Sequence, residues 1–211
     1  MARFLIADDH PLFREALIGA LTPHFEPASF VESDSLATTL AALDNDSIDV
    51  ILLDLNMPGC ENYYGVIRVH QEHPAIPIIV VSASESNEVI SYVMGLGACG
   101  FVPKSTPTAT IAEAVRLVMS GEQWLPPERA DDIQDVGAEQ RSIAEKVAQL
   151  TPKQFKVLKL LQAGLLNKQI AGELFVTEAT VKAHISAIFK KLDVNTRTQA
   201  VLLVEKLQHE L

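Results

Sequence analysis

Val50-Ile51-Leu52-Leu53-Asp54 is an unbroken apolar run delivered onto a carboxylate. A strand that is apolar at every position has both faces covered, as in a parallel sheet between two layers of helix. The same form recurs on either side. Phe4-Leu5-Ile6-Ala7 runs into Asp8-Asp9, Ile78-Ile79-Val80-Val81 into Ser82, and Gly100-Phe101-Val102 is followed by Lys104. A further strand near Ala28 to Glu32 makes five. Amphipathic stretches follow each strand: Pro11 to Leu21, Ser35 to Leu43, Tyr63 to Gln71, Ser86 to Met94 and Pro107 to Met119. Five such β-α units predict an α/β domain over residues 1–124, built on a doubly wound five-stranded parallel sheet.

Leu125-Pro126-Pro127 ends the alternation. Residues 125–147 are mostly polar, include Asp131-Asp132, and read as a linker with a helical lead-in over 143–150. From 148 to 211 the pattern is helical. Thr151-Pro152-Lys153-Gln154 has the form of a capping box with proline at the first helical position. Leu158 and Leu161 carry that helix to Gly164, a natural stop. Asn167 to Leu174 reads as a second helix and Glu178 to Leu192 as a third. Thr196-Arg197-Thr198-Gln199 repeats the capping form and opens a fourth, to about Gln208. The second domain is therefore expected to be an all-α four-helix unit.

Hydrophobic residues make up 48% of the 211, enough for packed cores and too many for a disordered chain. The net charge of −10 divides unevenly: −11 over residues 1–124, −3 over 125–149 and +4 over 150–211. A basic C-terminal end suits a polyanionic partner, although ordinary surface variation produces such a split too. No apolar run approaches the length of a membrane helix, so no membrane partner is expected. Acid arrives at Asp8 before any signal-peptide core could form, which predicts a cytoplasmic protein. Cys60 and Cys99 are too few for a metal cage and are expected to stay reduced.

In an open α/β sheet, functional groups gather beyond the C-terminal ends of the strands. Asp8 and Asp9 follow strand one, Asp54 follows strand three, Ser82 ends strand four and Lys104 follows strand five. Three carboxylates held together repel one another unless a cation joins them, and a hard divalent ion such as Mg²⁺ fits oxygen ligands. That ion would neutralise an incoming phosphoryl group and leave one carboxylate free to attack phosphorus. A hydroxyl and an ammonium could then bind the product oxygens. A single strand-end acid is more often merely solvated. It is the coincidence of acids, hydroxyl and lysine at successive strand ends that points to chemistry.

Leu5-Ile6-Ala7-Asp8-Asp9-His10-Pro11, Asp54-Leu55-Asn56-Met57-Pro58-Gly59 and Gly97-Ala98-Cys99-Gly100-Phe101-Val102-Pro103-Lys104 resemble the three signature stretches of receiver domains. The resemblance covers residues 1 to about 122. It implies that Asp54 is the phosphoacceptor. Asp8, Asp9, Asp54 and the backbone carbonyl of Asn56 would hold Mg²⁺. Ser82 would be the switch hydroxyl, Lys104 the phosphate-binding lysine, and Phe101 the aromatic that turns inward when Ser82 moves. Plain core packing accounts for Phe101 equally well. Cys60-Glu61-Asn62-Tyr63-Tyr64 departs from the usual continuation after Met-Pro-Gly, so the loop there is expected to take another shape.

In the helix from Glu178, Val181, Ile185, Ile188 and Leu192 form a core-facing stripe. Ala179, Lys182, Ala183, Ser186 and Lys190 lie opposite, small residues among lysines, as a helix lying in a major groove requires. A solvated lysine face is the plain alternative. Gly164-Leu165-Leu166-Asn167-Lys168-Gln169-Ile170-Ala171, Thr177-Glu178-Ala179-Thr180-Val181-Lys182-Ala183-His184-Ile185 and Lys191-Leu192-Asp193-Val194-Asn195-Thr196-Arg197-Thr198-Gln199-Ala200 closely resemble LuxR-type helix-turn-helix domains. With the receiver, this is similar to the NarL/FixJ family of response regulators. The resemblance implies that Lys182, Ala183 and Ser186 face bases or nearby backbone, with Lys168, Thr180, His184, Lys190 and Lys191 as phosphate contacts. His184, at the edge of the buried stripe, is equally placed for packing. Gln154 stands where the family has Glu, and Leu166 where it has Ser.

The resemblance implies a transcription regulator whose phosphorylation by a sensor histidine kinase, or by a small acyl phosphate, frees the recognition helix to dimerise on DNA. The apolar helix 196–208 would be part of the dimer surface. Two other readings stay open on the sequence. One is an enzyme, a phosphatase using an aspartate nucleophile, although the loops leave little room for a substrate. The other is a DNA-binding protein with a silent receiver under the control of a partner.

Overall fold

The computed structural model describes residues 1–133 and 137–206. The chain divides into two compact units, Met1–Val136 and Gly137–Leu211.

The first unit alternates strand and helix: β1 (Ala2–Ala7), α1 (Pro11–Leu21), β2 (Ala28–Ser33), α2 (Leu36–Asn45), β3 (Val50–Asp54), α3 (Tyr64–Glu72), β4 (Ile78–Ser82), α4 (Asn87–Gly95), β5 (Gly100–Pro103) and α5 (Thr108–Met119). All pairings are parallel and the strand order is β2-β1-β3-β4-β5. The order reverses between β1 and β3. Right-handed crossovers then send α1 and α5 to one face of the sheet, and α2, α3 and α4 to the other.

The strand sequences match that burial. Phe4, Ile6, Val50, Leu52, Ile79, Val81 and Val102 form one core with Leu17 and Leu21 of α1 and Ile111, Ala112, Val115 and Val118 of α5. The alternate residues Leu5, Ile51, Leu53, Ile78, Val80 and Phe101 are buried just as completely on the other face. Each such side chain contributes roughly 1.5–3 kcal/mol by leaving water. Pro11 opens α1, and Ser35 caps α2 in a reciprocal box with Thr38. Trp124 lies along β5, its N–H donating to the Cys99 carbonyl at 3.1 Å and its own carbonyl accepting from the Phe101 N–H at 3.0 Å.

The loop after β3 does take its own shape. A single 3-10 turn, Glu61–Tyr63, precedes α3, and Tyr63 adopts the left-handed conformation with φ 60°. Its ring packs on that of Tyr92 in α4, centroids 4.8 Å apart. Cys60 is buried against Gly65, where an added Cβ would lie 2.3 Å from the Cys60 sulfur. Burial pushes the Cys60 thiol well up from its ordinary value, with Glu61 and Asp54 adding to the shift. Both cysteines are free thiols.

The second unit holds α6 (Ala138–Ala148), α7 (Pro152–Gln162), α8 (Asn167–Glu173), α9 (Glu178–Leu192) and α10 (Arg197–Glu205). Among the described residues of the stretch expected to link the domains, 125–147, a 3-10 turn lies at Ala130–Asp132 and α6 begins at Ala138, ahead of the lead-in expected from 143. The two capping boxes form as read, Thr151 with Gln154 and Thr196 with Gln199. Leu166 leaves α8 only half a box: its N–H donates to Gln169 Oε1 at 2.8 Å, and its side chain caps nothing. The core joins Ile143 and Val147, Phe155, Leu158 and Leu161, Ile170, Val181, Ile188 and Leu192, and Ala200 and Val204. Arg197 binds α10 to α7, donating to the carbonyls of Leu161 at 2.9 Å and Leu165 at 2.8 Å. The end of the fourth predicted helix, 207–208, lies outside the described residues. Among the described residues no helix is long and apolar enough to cross a membrane.

Candidate functional site

The switch point between β1 and β3 brings three of the predicted acids together. β1 carries the chain into Asp8 and Asp9, and β3 ends on Asp54 beside it. Asp8, Asp9, His10 and Asp54 each offer a ligand atom, and the four atoms lie within 4.8 Å of one another. Asp8 and Asp54 are buried, with side chains 1% and 0% exposed, whereas Asp9 is 35% exposed at the mouth. Lys104, carried in from the end of β5, puts its Nζ 2.6 Å from Asp8 Oδ2 and 3.3 Å from Asp54 Oδ2. One ammonium is therefore shared by two buried carboxylates. Neither contact has hydrogen-bond geometry, and neither oxygen of Asp54 has a hydrogen-bond partner. Burial raises the Asp54 carboxyl above its ordinary value. Lys104 opposes the rise and Asp8 adds to it.

Such a pocket is short of positive charge. Two ionised carboxylates cannot sit together out of water unless cations balance them. The donor set is all oxygen but for one imidazole, and the orphaned Asp54 oxygens are the atoms a cation or an electrophile would meet. The residues fit a hard divalent ion.

Ser82 ends β4, where it pairs with Pro103 of β5, while Asp54 pairs with Val81. Ser82 is buried, and its Oγ accepts the Ser84 N–H at 3.1 Å. The next link in the loop is Lys104, whose N–H donates to the Ser82 carbonyl at 2.8 Å. Phe101 is fully buried in the sheet. Asn56 is exposed on the loop after β3.

Three residues shaping the pocket escaped the sequence reading, and all lie at the start of α1. His10 Nδ1 is 2.7 Å from Asp9 Oδ1 and 3.1 Å from Asp8 Oδ1. Phe13 offers its ring face to the Lys104 ammonium, 4.6 Å from the centroid. Arg14 donates from its guanidinium to the Asp8 carbonyl at 2.7 Å and pairs with Glu32 at 2.7 Å, fixing the backbone of the acid pair. Their signal is the helical spacing from His10, i+3 and i+4, which turns all three toward the end of β1.

In the second unit, α8, a turn and α9 form a helix-turn-helix. The turn passes through Phe175, left-handed at φ 54° and 96% exposed. Val181, Ile188 and Leu192 of α9 are buried and Ile185 is half-buried, as the stripe requires. Thr180, Lys182, Ala183, Ser186 and Lys190 are exposed, as is Lys168 on α8. His184 is half-buried at the edge of the stripe. Lys191 differs from the expected pattern. Its Nζ donates to the Gln149 carbonyl and to Gln154 Oε1, both at 2.7 Å, so it ties α9 to the cap of α7. On α10, Ala200 and Val204 face the core while Leu202 is 53% exposed.

A sheet of this order with acids at its switch point, joined to a helix-turn-helix unit, defines a response regulator. Residues 4–116 match the family described as response regulator receiver domain, and residues 148–204 match bacterial regulatory proteins, luxR family. The chain belongs to the NarL/FixJ family of two-component response regulators, with a receiver and a LuxR-type DNA-binding domain. It is 40% identical over 208 residues to the glycerol metabolism activator of Pseudomonas putida, covering 96% of this chain and 94% of that protein. It is 32% identical over 203 residues to the nitrate/nitrite response regulator protein homolog of Haemophilus influenzae, covering 95% of each. The fold is shared with the RcsB response regulator of Salmonella typhimurium, at a TM-score of 0.58 and 22% identity over 97% of this chain and 100% of that one. A LuxR family DNA-binding response regulator from Silicibacter pomeroyi aligns over 61% of this chain and 99% of its own, with a TM-score of 0.55 and 29% identity.

Proposed function

We propose that phosphorylation of Asp54 controls dimerisation and sequence-specific DNA binding by the second domain. The observation that carries the reading is the Asp54 carboxylate: buried, without hydrogen-bond donors, and 3.3 Å from a lysine that it shares with Asp8. A buried acid in a charge-deficient pocket is poised to gain from a group that recruits cations. Asp8, Asp9, Asp54 and the Asn56 carbonyl would hold Mg²⁺. Bound there, Mg²⁺ supplies charge neutralisation for the phosphoryl oxygens.

One Asp54 oxygen attacks phosphorus as the bond to the donor breaks. The donor is the phosphohistidine of a sensor kinase, whose imidazole leaves with the electron pair, or a small acyl phosphate. The product adds about 1.5 to 2 negative charges at the end of β3. Lys104 shifts its ammonium from Asp8 toward the phosphoryl group. Ser82 exchanges its bond from the Ser84 N–H for one to a phosphoryl oxygen, which moves the β4–α4 loop. Phe101, beside them in β5, holds the inward position that the shifted loop requires.

The output surface is the exposed face of α9. Lys182, Ala183 and Ser186 would face the major groove, and Lys168, Thr180, His184 and Lys190 the flanking phosphates. Lys191 serves as the brace that keeps α9 on α7, with the third N–H of its ammonium left for a secondary phosphate contact. Dimerisation would bury Leu202 and the exposed side of α10. The polar stretch within 125–147 joins a receiver over 1–124 to a DNA-binding domain over 148–211, all in the cytoplasm.

The test is phosphorylation by acetyl phosphate with Mg²⁺, followed by intact-mass and peptide mass spectrometry. One phosphoryl group on Asp54, absent without Mg²⁺ and absent in Asp54→Asn, is the expected result. Phosphorylation undiminished in Asp54→Asn, or none in the wild type, would overturn the assignment.

A further inference from the structure

We propose that His10 is a ligand of the cation site, so that this receiver binds divalent transition metals through an imidazole nitrogen as well as carboxylate oxygens. The inference rests on the cation site proposed above. In an octahedron with bonds of about 2.1 Å, adjacent ligand atoms stand roughly 3.0 Å apart and opposite ones roughly 4.2 Å. His10 Nδ1 lies 2.7 Å from Asp9 Oδ1 and 3.1 Å from Asp8 Oδ1, contacts through which the ring hydrogen-bonds the carboxylates and which also match the spacing of neighbouring ligands around one ion. The whole set of Asp8, Asp9, His10 and Asp54 falls within 4.8 Å, so a small contraction closes it on a single centre. A second, independent observation points to a ligand there. Asp54 is fully buried and both of its oxygens lack hydrogen-bond partners.

The backbone holds His10 for this role. It is the N-cap of α1, but its side chain makes no capping bond, so the ring is not committed to the helix. Its N–H donates to Asp8 Oδ1 at 2.9 Å, which locks its main chain to one of the acids. Pro11 follows and fixes the direction in which the helix leaves. The side chain is 67% exposed, so Nε2 stays in water while Nδ1–H donates to the acids, and an ion bound at Nδ1 takes the place of that proton, which passes to water. Carboxylates alone favour Mg²⁺, Ca²⁺ and Mn²⁺, whereas imidazole favours the later first-row ions. A mixed set therefore shifts the preference toward ions such as Ni²⁺ without losing Mg²⁺.

The test uses the full-length protein. Mn²⁺ is bound and its electron spin echo recorded, with Mg²⁺ added as competitor. Nitrogen-14 modulation in the wild type, displaced by Mg²⁺ and lost in His10→Ala, is expected. Competition against bound Mn²⁺ then reads the other ions. His10→Ala should weaken Ni²⁺ at least about tenfold, in line with the loss of a ligand-shell group, and Mg²⁺ by no more than about twofold. His10 is exposed, so the variant folds, and His10→Gln provides a second polar replacement. Mn²⁺ that binds and yields to Mg²⁺ without nitrogen modulation would overturn the role of His10 and leave the carboxylate site standing. No Mg²⁺-displaceable Mn²⁺ in the wild type would overturn both.

Discussion

Replacing Asp54 with Asn should stabilise the protein at neutral pH, although Asp54 lies at the heart of the site. The side chains of Asp8 and Asp54 are 1% and 0% exposed, and one ammonium stands 2.6 Å and 3.3 Å from them. The pocket thus buries one negative charge more than its single ammonium balances, and both Asp54 oxygens, with Asp8 Oδ2, lack hydrogen-bond partners. A buried polar group without partners costs about 1–3 kcal/mol, and more when charged. Asn keeps the shape and drops the charge, so a gain of about 1–3 kcal/mol is expected, or roughly 2–4 °C in Tm per kcal/mol for a chain of this size. The pH dependence has a definite sign. The folded-state pKa of Asp54 lies above its ordinary 3.8. Below pH 3.8 the carboxyl is protonated folded and unfolded, and its burial carries no ionisation cost. As pH rises through the window between 3.8 and the folded value, the unfolded chain releases its proton first and the folded state loses stability. The advantage of Asn is therefore nil in acid and full at neutrality. Urea unfolding across that range, in EDTA, measures it. Excess Mg²⁺ should then stabilise the wild type by about 2.7 kcal/mol at one hundred times its dissociation constant, and Asp54→Asn much less. An Asp54→Asn variant less stable than wild type at pH 7, or an advantage that grows toward acid, would refute the charge-deficient pocket.

Other perturbations separate structural from functional roles. Lys191→Ala should lower stability by about 1–3 kcal/mol in denaturant titration, because it removes the bonds to Gln149 and Gln154. Lys182→Ala should leave stability within about 0.5 kcal/mol and instead lower DNA affinity, reducing the salt slope of binding by about 1. Leu202→Asp should abolish dimerisation in analytical ultracentrifugation of the phosphorylated protein while leaving the monomer fold intact, since the side chain is 53% exposed. Gly65→Ala should cost about 1–3 kcal/mol, because its new carbon would meet the Cys60 sulfur at 2.3 Å. The double variant with Cys60→Ala should recover most of that loss, with thermal melts of both variants as the measurement.

Much of this could be read directly from the residues, for identifiable reasons. A parallel sheet buried on both faces writes itself as apolar runs, so Val50–Asp54 and Ile78–Ser82 declare both the strands and the ends where chemistry collects. The capping boxes at Thr151 and Thr196 are local, and the chain obeys them. α6 was legible only from 143, because its buried residues, Ile143, Ala144, Val147 and Ala148, all fall in its second half. The first turn of α6 carries no apolar period to read. At the site, strand-end residues were legible and helix-start residues were not. His10, Phe13 and Arg14 matter through where α1 departs from β1, a three-dimensional relation that spacing alone leaves open. Lys191 shows the converse. Its charge suits a DNA face, but a carbonyl and an amide on neighbouring elements claim its ammonium. Phe175 gives no warning either, since a left-handed turn is usually signalled by Gly or Asn.

The most direct measurement of the switch is DNA binding at fixed salt to a site recognised by this family, with and without beryllofluoride and Mg²⁺, for wild type and Asp54→Asn. Phosphorylation control predicts tighter, dimeric binding with the phosphoryl mimic in the wild type alone. Equal affinity in all four conditions would leave a DNA-binding protein but contradict control through Asp54.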